Sequence, residues 1–154
     1  MDQFNSLKDK TILITGSSRG IGRKIAESFL ENDSKVIGIS TEPNKSKIIN
    51  NNNYKHYFCD LSKTNEVLKI LDLITKETKS LDILINNAGI TRENVKSIKK
   101  NIEYFDQTIK INLTAAYLFS IMAVSKMKKN KKGGTIINIS SIGGELGFPN
   151  NPAY

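Results

Sequence analysis

Cysteine occurs once in the 154 residues, at Cys59, so the chain can form no disulfide within itself. It therefore lacks the cross-linking expected of a small secreted domain, and a reducing, cytoplasmic location is expected. The first ten residues are polar and carry Asp2 and Asp9, so they hold no apolar core of the kind a signal peptide needs. No apolar run reaches the roughly 20 residues of a membrane span. The longest, residues 111–124, contains Asn112, Thr114 and Ser120 and reads as a buried helix, and no membrane partner is expected. Acidic residues are outnumbered, 15 Asp and Glu against 23 Lys and Arg, for a formal charge of +8. The excess is mostly lysine and suits a soluble surface, with anionic partners as the alternative. No nucleic-acid motif accompanies it. The single histidine, His56, reads as a strand residue without a catalytic role, and no metal site is expected.

Apolar residues, 38% of the chain, are grouped into runs separated by turn signals, as in one folded domain of ordinary size. Residues 11–15 form a short β-branched run ending at glycine, and a helical pattern follows from Gly20 through Ile21, Ile25, Phe29 and Leu30. Residues 36–39 and 54–59 read as the second and third strands, with Pro43 opening a polar segment between them. Ser62 is a plausible N-cap for a helix bearing Val67, Leu68, Leu71 and Ile74 at helical spacing. The nearly all-apolar residues 81–85 suit a strand buried on both faces of a parallel sheet. Residues 101–130 read as one long helical region or two abutting helices, and Gly133 and Gly134 precede a fifth strand at 135–140. Strict β-α alternation with right-handed crossovers predicts an α/β, Rossmann-like, doubly wound parallel sheet in the order 3-2-1-4-5.

The turn after the first strand reads TGSSRGIG, residues 15–22, with glycines spaced by four and then two. Glycine lets backbone approach a pyrophosphate with no Cβ in the way, and the helix that follows aims its free N–H groups and positive dipole end at the anion. Where the second strand ends, an NAD site commonly places a carboxylate on the ribose hydroxyls. This chain has Ile39, Ser40 and Thr41 there, so no carboxylate repels a 2′-phosphate, although Glu42 could reach the ribose from a shifted loop. Arg19, in the glycine turn, presents a fork suited to phosphate oxygens, and NADP is favoured over NAD.

With Thr15 to Gly22, Asp60 and Leu61, Asn86 to Gly89, Asn112, and Ser140 and Ser141 followed by Tyr154, the chain resembles the short-chain dehydrogenase/reductase family along nearly its whole length. Two segments, SRGIGRKIAE (18–27) and NNAGITREN (86–94), resemble the 3-oxoacyl-[acyl-carrier-protein] reductase branch. The resemblance implies that Gly16, Ser18, Arg19, Gly20, Ile21 and Gly22 line the cofactor phosphates. It implies that Asp60 bonds the adenine amine beside Leu61, that Asn87 contacts the adenosine ribose, and that Ser40, Ala88 and Gly89 are among the cofactor-binding residues. It further implies that Ser141 hydrogen-bonds the substrate carbonyl, Tyr154 donates the proton as general acid, and Asn112 holds a water in the proton relay.

The family's catalytic lysine lies four residues beyond its tyrosine, and this sequence ends at Tyr154. An isolated tyrosine has a pKa of about 10, so the ammonium that lowers it also sustains the acid/base cycle. The expectation is therefore a single NADP-binding domain over 1–154, incomplete at its C-terminus and without the last strands. Such a polypeptide is expected, by itself, to bind NADP weakly or not at all, to be inactive on ketones, and to self-associate through an open fifth strand. Two functional classes stay open. One is an NADPH-dependent reductase making a secondary alcohol from a ketone, on 3-oxoacyl carrier substrates, or on sugar, steroid or small-alcohol substrates. The other is a non-catalytic nucleotide-binding module. The lysines among residues 126–132 suit either the negative end of a helix dipole or an acidic acyl carrier protein. The apolar helix over 113–124 resembles the element that relatives pack across a subunit interface, which implies a homo-oligomer for the full protein.

Overall fold

A computed structural model of the chain describes residues 5–44, 47–92, 96–130, 133–147 and 153–154. Its elements are β1 (Thr11–Thr15), α1 (Gly20–Glu31), β2 (Lys35–Ser40), β3 (Tyr54–Phe58), α2 (Thr64–Glu77), β4 (Ile83–Asn86), α3 (Ile98–Thr108), a π-helical stretch (Ile109–Ala115), α4 (Ala116–Met127) and β5 (Thr135–Asn138). Every strand pairing is parallel and the sheet order is β3-β2-β1-β4-β5, as predicted, but the β-α alternation is not strict, since the described residues between β2 and β3 form no α-helix. β1 is central: Leu13 pairs with Ile37 on one side and Leu84 on the other. Its β-branched, unbroken apolar sequence is what a strand covered on both faces requires.

On one face Leu13, Ile37, Ile39 and Leu84 meet Val67, Leu71 and Ile74 of α2 and Phe119, Met122, Ala123 and Met127 of α4. On the other, Ile12, Ile14, Val36 and Ile85 meet Ala26 and Leu30 of α1, with Tyr54 packed alongside. Successive strand residues alternate between these two cores because side chains along a strand point to opposite faces. Lys126, although charged, is buried, and its ammonium donates to the main-chain carbonyls of Thr75 and Thr78 (2.7 Å to the latter). It thereby satisfies carbonyls that the last turn of α2 leaves without intrahelical donors.

Several boundaries differ from the sequence pattern. Lys63, not Ser62, stands at the N-cap of α2; Ser62 instead donates through its N–H and hydroxyl to Asp60 Oδ1, at 3.0 and 2.7 Å. Ile21 and Leu68, placed by spacing on the buried faces of their helices, are 64% and 48% exposed. Residues 111–124 are not a short, fully buried helix. They belong to a continuous helical run, Ile98–Met127, long and apolar enough by length and composition to cross a membrane. One side of this run lies in the core through Ala115, Phe119 and Ala123, while Leu113, Tyr117, Ile121 and Val124 are exposed. A helix on a sheet buries only the stripe that touches it, whatever the rest of its surface is made of. β5 forms one edge of the sheet, and Ile137 and Ile139 remain exposed, uncovered by any helix among the described residues.

Phe119 is fully buried between α2 and the sheet. Phe119→Ala is expected to lower unfolding stability by about 3–5 kcal/mol in urea titrations, whereas Ile121→Ala on the exposed side stays within about 0.5 kcal/mol.

Candidate functional site

Because β2 and β4 flank β1 on opposite sides, the connections leaving β1 and β4 part company at the C-terminal edge of the sheet and open a crevice there. The turn after β1 enters it with Gly16 at φ 72° and Gly20 at φ 56°, conformations that side chains resist. Arg19 occupies the N-cap of α1 in extended conformation and makes no side-chain cap, and the first turn carries no acidic residue. The helix therefore presents its leading N–H groups and positive dipole end without an internal acceptor. α1 sits tight against the sheet: a Cβ on Gly22 would collide with Asn87 Nδ2 and the carbonyl oxygen of Gly16. This cradle, narrow in its glycines and rich in uncapped donors, fits a diphosphate.

Asn87 and Ala88, just past β4, hold the turn in place. Asn87 Nδ2 donates to the carbonyls of Thr15 (3.0 Å) and Gly16 (3.3 Å), and the Thr15 hydroxyl accepts from the N–H groups of Asn87 (3.1 Å) and Ala88 (3.0 Å). The Asn87 side chain thus supports the glycine turn directly. Beneath it, the buried Ser17 hydroxyl shares a 2.8 Å hydrogen bond with Tyr54 Oη, which crosses β2 over the bare Cα of Gly38. Burial pushes the Tyr54 hydroxyl pKa up, against the opposing pull of Ser17 and Arg23.

A cleft of about 640 Å³ runs from this turn past the ends of β2 and β3. Its walls include Gly16, Ser18, Arg19, Gly20, Ile21, Gly22, Ser40, Asp60, Leu61, Asn87, Ala88 and Gly89, so all the expected cofactor-binding residues converge on one cavity. Ser40, at the end of β2, is buried and its Oγ lies 2.7 Å from His56 Nε2 while accepting the Glu42 N–H at 3.2 Å. Glu42 also lines the cleft, its carboxylate accepting from the N–H of Asn44 at 3.0 Å. Burial would raise the Asp60 carboxyl, but the hydrogen bonds from Ser62 and the nearby Lys63 ammonium outweigh it and hold the pKa below the ordinary value. Asp60 is therefore an ionised acceptor at neutral pH. Burial, together with the negative charges of Glu66 and Asp60, pushes the Cys59 thiol up to about 11.

A second cleft, about 630 Å³, adjoins the first and shares Ile21, Asn87, Ala88, Gly89 and Ile90 with it. Asn112, Ser141 and Tyr154 all line it, alongside Asn138, Ser140 and Ser120. The π-helical stretch carries Asn112, whose amide clasps Ile90 at both ends: Oδ1 accepts the Ile90 N–H and Nδ2 donates to the Ile90 carbonyl, each at 2.9 Å. Insertion of a π turn turns side chains out of α-helical register, a frequent feature of functional sites. Ser141 Oγ accepts from the Gly143 N–H at 3.2 Å, capping the short turn Ile142–Gly144. Asn86, at the end of β4, donates to Asn138 Oδ1 (2.8 Å) and Ser120 Oγ (3.1 Å), and its own buried Oδ1 has no hydrogen-bond partner among the described residues.

Residues that spacing alone did not single out are Thr15, Ser17, Tyr54, His56 and Asn138. Thr15 and Ser17 had a signal, their place in the TGSSRGIG turn; Tyr54, His56 and Asn138 are brought in by strands remote in the sequence.

The fold and the paired clefts define a doubly wound α/β protein with a glycine-turn cleft and an adjoining second cavity of mixed lining. The short chain dehydrogenase family matches residues 10–154, and the chain belongs to this family. It is 38% identical over 144 residues to the 3-oxoacyl-[acyl-carrier-protein] reductase FabG of Buchnera aphidicola subsp. Schizaphis graminum, covering 92% of this chain and 58% of that protein. It is 40% identical over 151 residues to the protein of that name from Rickettsia bellii, covering 96% of this chain and 60% of the relative. Among solved structures, ligand-free aldohexose dehydrogenase (AldT) of Thermoplasma acidophilum superimposes with TM-score 0.81 at 34% identity, covering 98% of this chain and 56% of that one. The chain thus spans about three fifths of the length of the curated relatives it matches.

With its thiol at about 11, Cys59 is expected to be about a thousandth ionised at pH 8. Iodoacetamide at that pH should leave the native chain essentially unlabelled and modify it promptly in denaturant; rapid labelling of the folded protein contradicts the burial.

Proposed function

We propose that the chain is the nucleotide-binding part of an NADPH-dependent oxidoreductase that reduces a ketone to a secondary alcohol, with a 3-oxoacyl group on an acyl carrier protein as the substrate. The observation that carries this reading is the shared wall, Ile21 and Asn87 to Ile90, between the glycine-turn cleft and the cleft holding Asn112, Ser141 and Tyr154. A dinucleotide whose diphosphate rests on the start of α1 has its other end directed past that wall. Family membership and the reductase names of the relatives support the same reaction class.

In this reading Gly16, Ser18 and the leading N–H groups of α1 bind the diphosphate, Arg19 and Ser40 face the 2′-phosphate, and Asp60 accepts from the adenine amine. The cofactor, when bound, supplies the hydride. Ser141 Oγ donates to the substrate oxygen and Tyr154 Oη gives it a proton, while Asn112, by holding Ile90, fixes the wall common to both clefts and stands where a relay water would sit. Supporting a cytoplasmic reductase are the lone, buried Cys59 and the relatives' names. The exposed stripe Leu113, Tyr117, Ile121 and Val124 supports association with a second copy in the whole protein.

NADPH is expected to bind more tightly than NADH in fluorescence titrations. Arg19→Ala should cut that preference about tenfold by weakening NADPH alone, the size of one lost charge-assisted contact. Equal affinity for the two nucleotides overturns the assignment of NADP. In a protein that continues past Tyr154 with the family's lysine, Tyr154→Phe should lower kcat by about 10²–10⁴. The 154-residue polypeptide, carrying no lysine there, should not oxidise NADPH with an acetoacetyl thioester, and clear turnover refutes the requirement for that lysine.

Lys128 and Lys129, exposed at the end of α4, are the described cations that could meet an acidic carrier protein; Lys126 is buried beneath α2, and residues 131–132 lie outside the described ones. Lys128→Glu with Lys129→Glu should raise KM for carrier-linked substrate several-fold and leave that for a small thioester unchanged. Equal changes in both remove the carrier protein from the proposal.

A further inference from the structure

β3 is an edge strand, yet two side chains from its α1-facing side meet residues at or beneath the proposed nucleotide cleft: Tyr54 ends on Ser17 under the glycine turn, and His56 ends on Ser40, which lines the cleft. The second contact has a consequence for which nucleotide the cleft accepts. Ser40 Oγ has one proton and two lone pairs. One lone pair takes the Glu42 N–H. When His56 Nε2 is unprotonated, the Ser40 proton must go to it, and the hydroxyl offers the cleft only a lone pair. A ribose 2′-hydroxyl can donate to that lone pair; a 2′-phosphate, which has only acceptors when ionised, cannot use it. When His56 Nε2 carries a proton, as it does in one neutral tautomer and always in the imidazolium, the imidazole donates to Ser40, both lone pairs are occupied, and the Ser40 proton is free to point at a phosphate oxygen. The imidazolium alone adds a positive charge that the phosphate stabilises.

We propose that His56, acting through Ser40, is a specificity-determining residue that favours a 2′-phosphorylated nucleotide, and that binding of such a phosphate is coupled to protonation of His56. The proposal rests on the reading of this cleft as a nucleotide site. His56 touches no ligand itself and works as a positioning residue for the Ser40 hydroxyl.

The surroundings are consistent with a neutral imidazole until an anion arrives. Burial lowers the His56 pKa, and the Glu42 carboxylate opposes that shift. The Tyr54 ring stacks near it, with centroids 6.5 Å apart. On α1, which packs over this face, Arg23 is paired with Glu27 at 2.9 Å, and Arg19 stands at the rim of the cleft. Lys55, next along β3, is paired with Glu77 of α2 and lies on the opposite face. A phosphate dianion beyond Ser40 adds negative charge close to the imidazole and raises its pKa in the complex. The added affinity is then complete below the pKa of the free protein and is lost as pH rises through that of the complex.

His56 is the only histidine, so its ring signals in an NMR pH titration are unambiguous. The 154-residue chain is titrated alone, with saturating adenosine 2′,5′-bisphosphate and with saturating ADP. The His56 midpoint is expected to rise with the bisphosphate and to stay in place with ADP, and Ser40→Ala is expected to abolish the rise. His56→Gln, which keeps an amide donor but cannot ionise, is expected to lower the bisphosphate-over-ADP affinity ratio at pH 6 about fivefold, the scale of one solvent-screened charge contact, and to flatten its pH dependence. Protonation of the phosphate itself is common to wild type and variant and cancels in the comparison. If the bisphosphate moves the amide signals of Gly16 to Gly22 but not the His56 midpoint, the coupling is refuted while the nucleotide site stands. If neither nucleotide moves those amides, the site itself is refuted and the coupling goes with it.

Discussion

At the end of β1, Asn87 donates its amide to two carbonyls of the glycine turn while the Thr15 hydroxyl accepts two N–H groups from the end of β4. This clasp joins the two places where the sheet's connections diverge, and both clefts are built on its opposite sides. It closes only because α1 approaches without a side chain at Gly22. A buried, reciprocally satisfied network of this kind holds the turn in one conformation, so donors at the start of α1 are in place before any anion arrives. Preorganisation of this sort lowers the cost of binding a charged group, since water need not be replaced by groups that must still be ordered.

The same economy of polar contacts recurs at the long helical run. Asn112 holds Ile90, and Asn86 reaches from β4 to Ser120 of α4 and Asn138 of β5. These contacts tie the end of β4 and the segment after it to the helical run and to β5, so the floor of the second cleft is fixed by side chains rather than by loop conformation. Lys126 does comparable work at the far end, binding α4 to the C-terminus of α2. A buried ammonium is tolerable when carbonyl oxygens surround it, and those oxygens would otherwise lack donors. The lysines near the end of α4 therefore divide into one structural residue and exposed neighbours, a division that a run of like residues in a sequence conceals.

The sheet order was legible because β-branched runs such as residues 11–15 are intelligible only as strands, and because strands separated by helices leave little choice of topology. The turn over residues 16–22 was legible because local backbone geometry dictates which residue types can stand there, whereas Asn87 to Gly89 were singled out through the family resemblance. The pattern failed where exposure depends on a partner element. Ile21 follows helical spacing yet faces the clefts, and Tyr117 and Ile121 belong to an apolar stretch whose outer side meets no other element among the described residues.

By itself the sequence determined the order of the strands and the glycine turn, since each follows from short-range sterics and side-chain chemistry. Only the tertiary structure decided that Tyr54 and His56, on an edge strand 37 and 16 residues away from Ser17 and Ser40, meet those two hydroxyls. It alone placed Lys126 under α2 rather than on the surface. Those outcomes depend on parallel register, which sets residues distant along the chain side by side, and no local pattern encodes which hydroxyl a remote imidazole will meet.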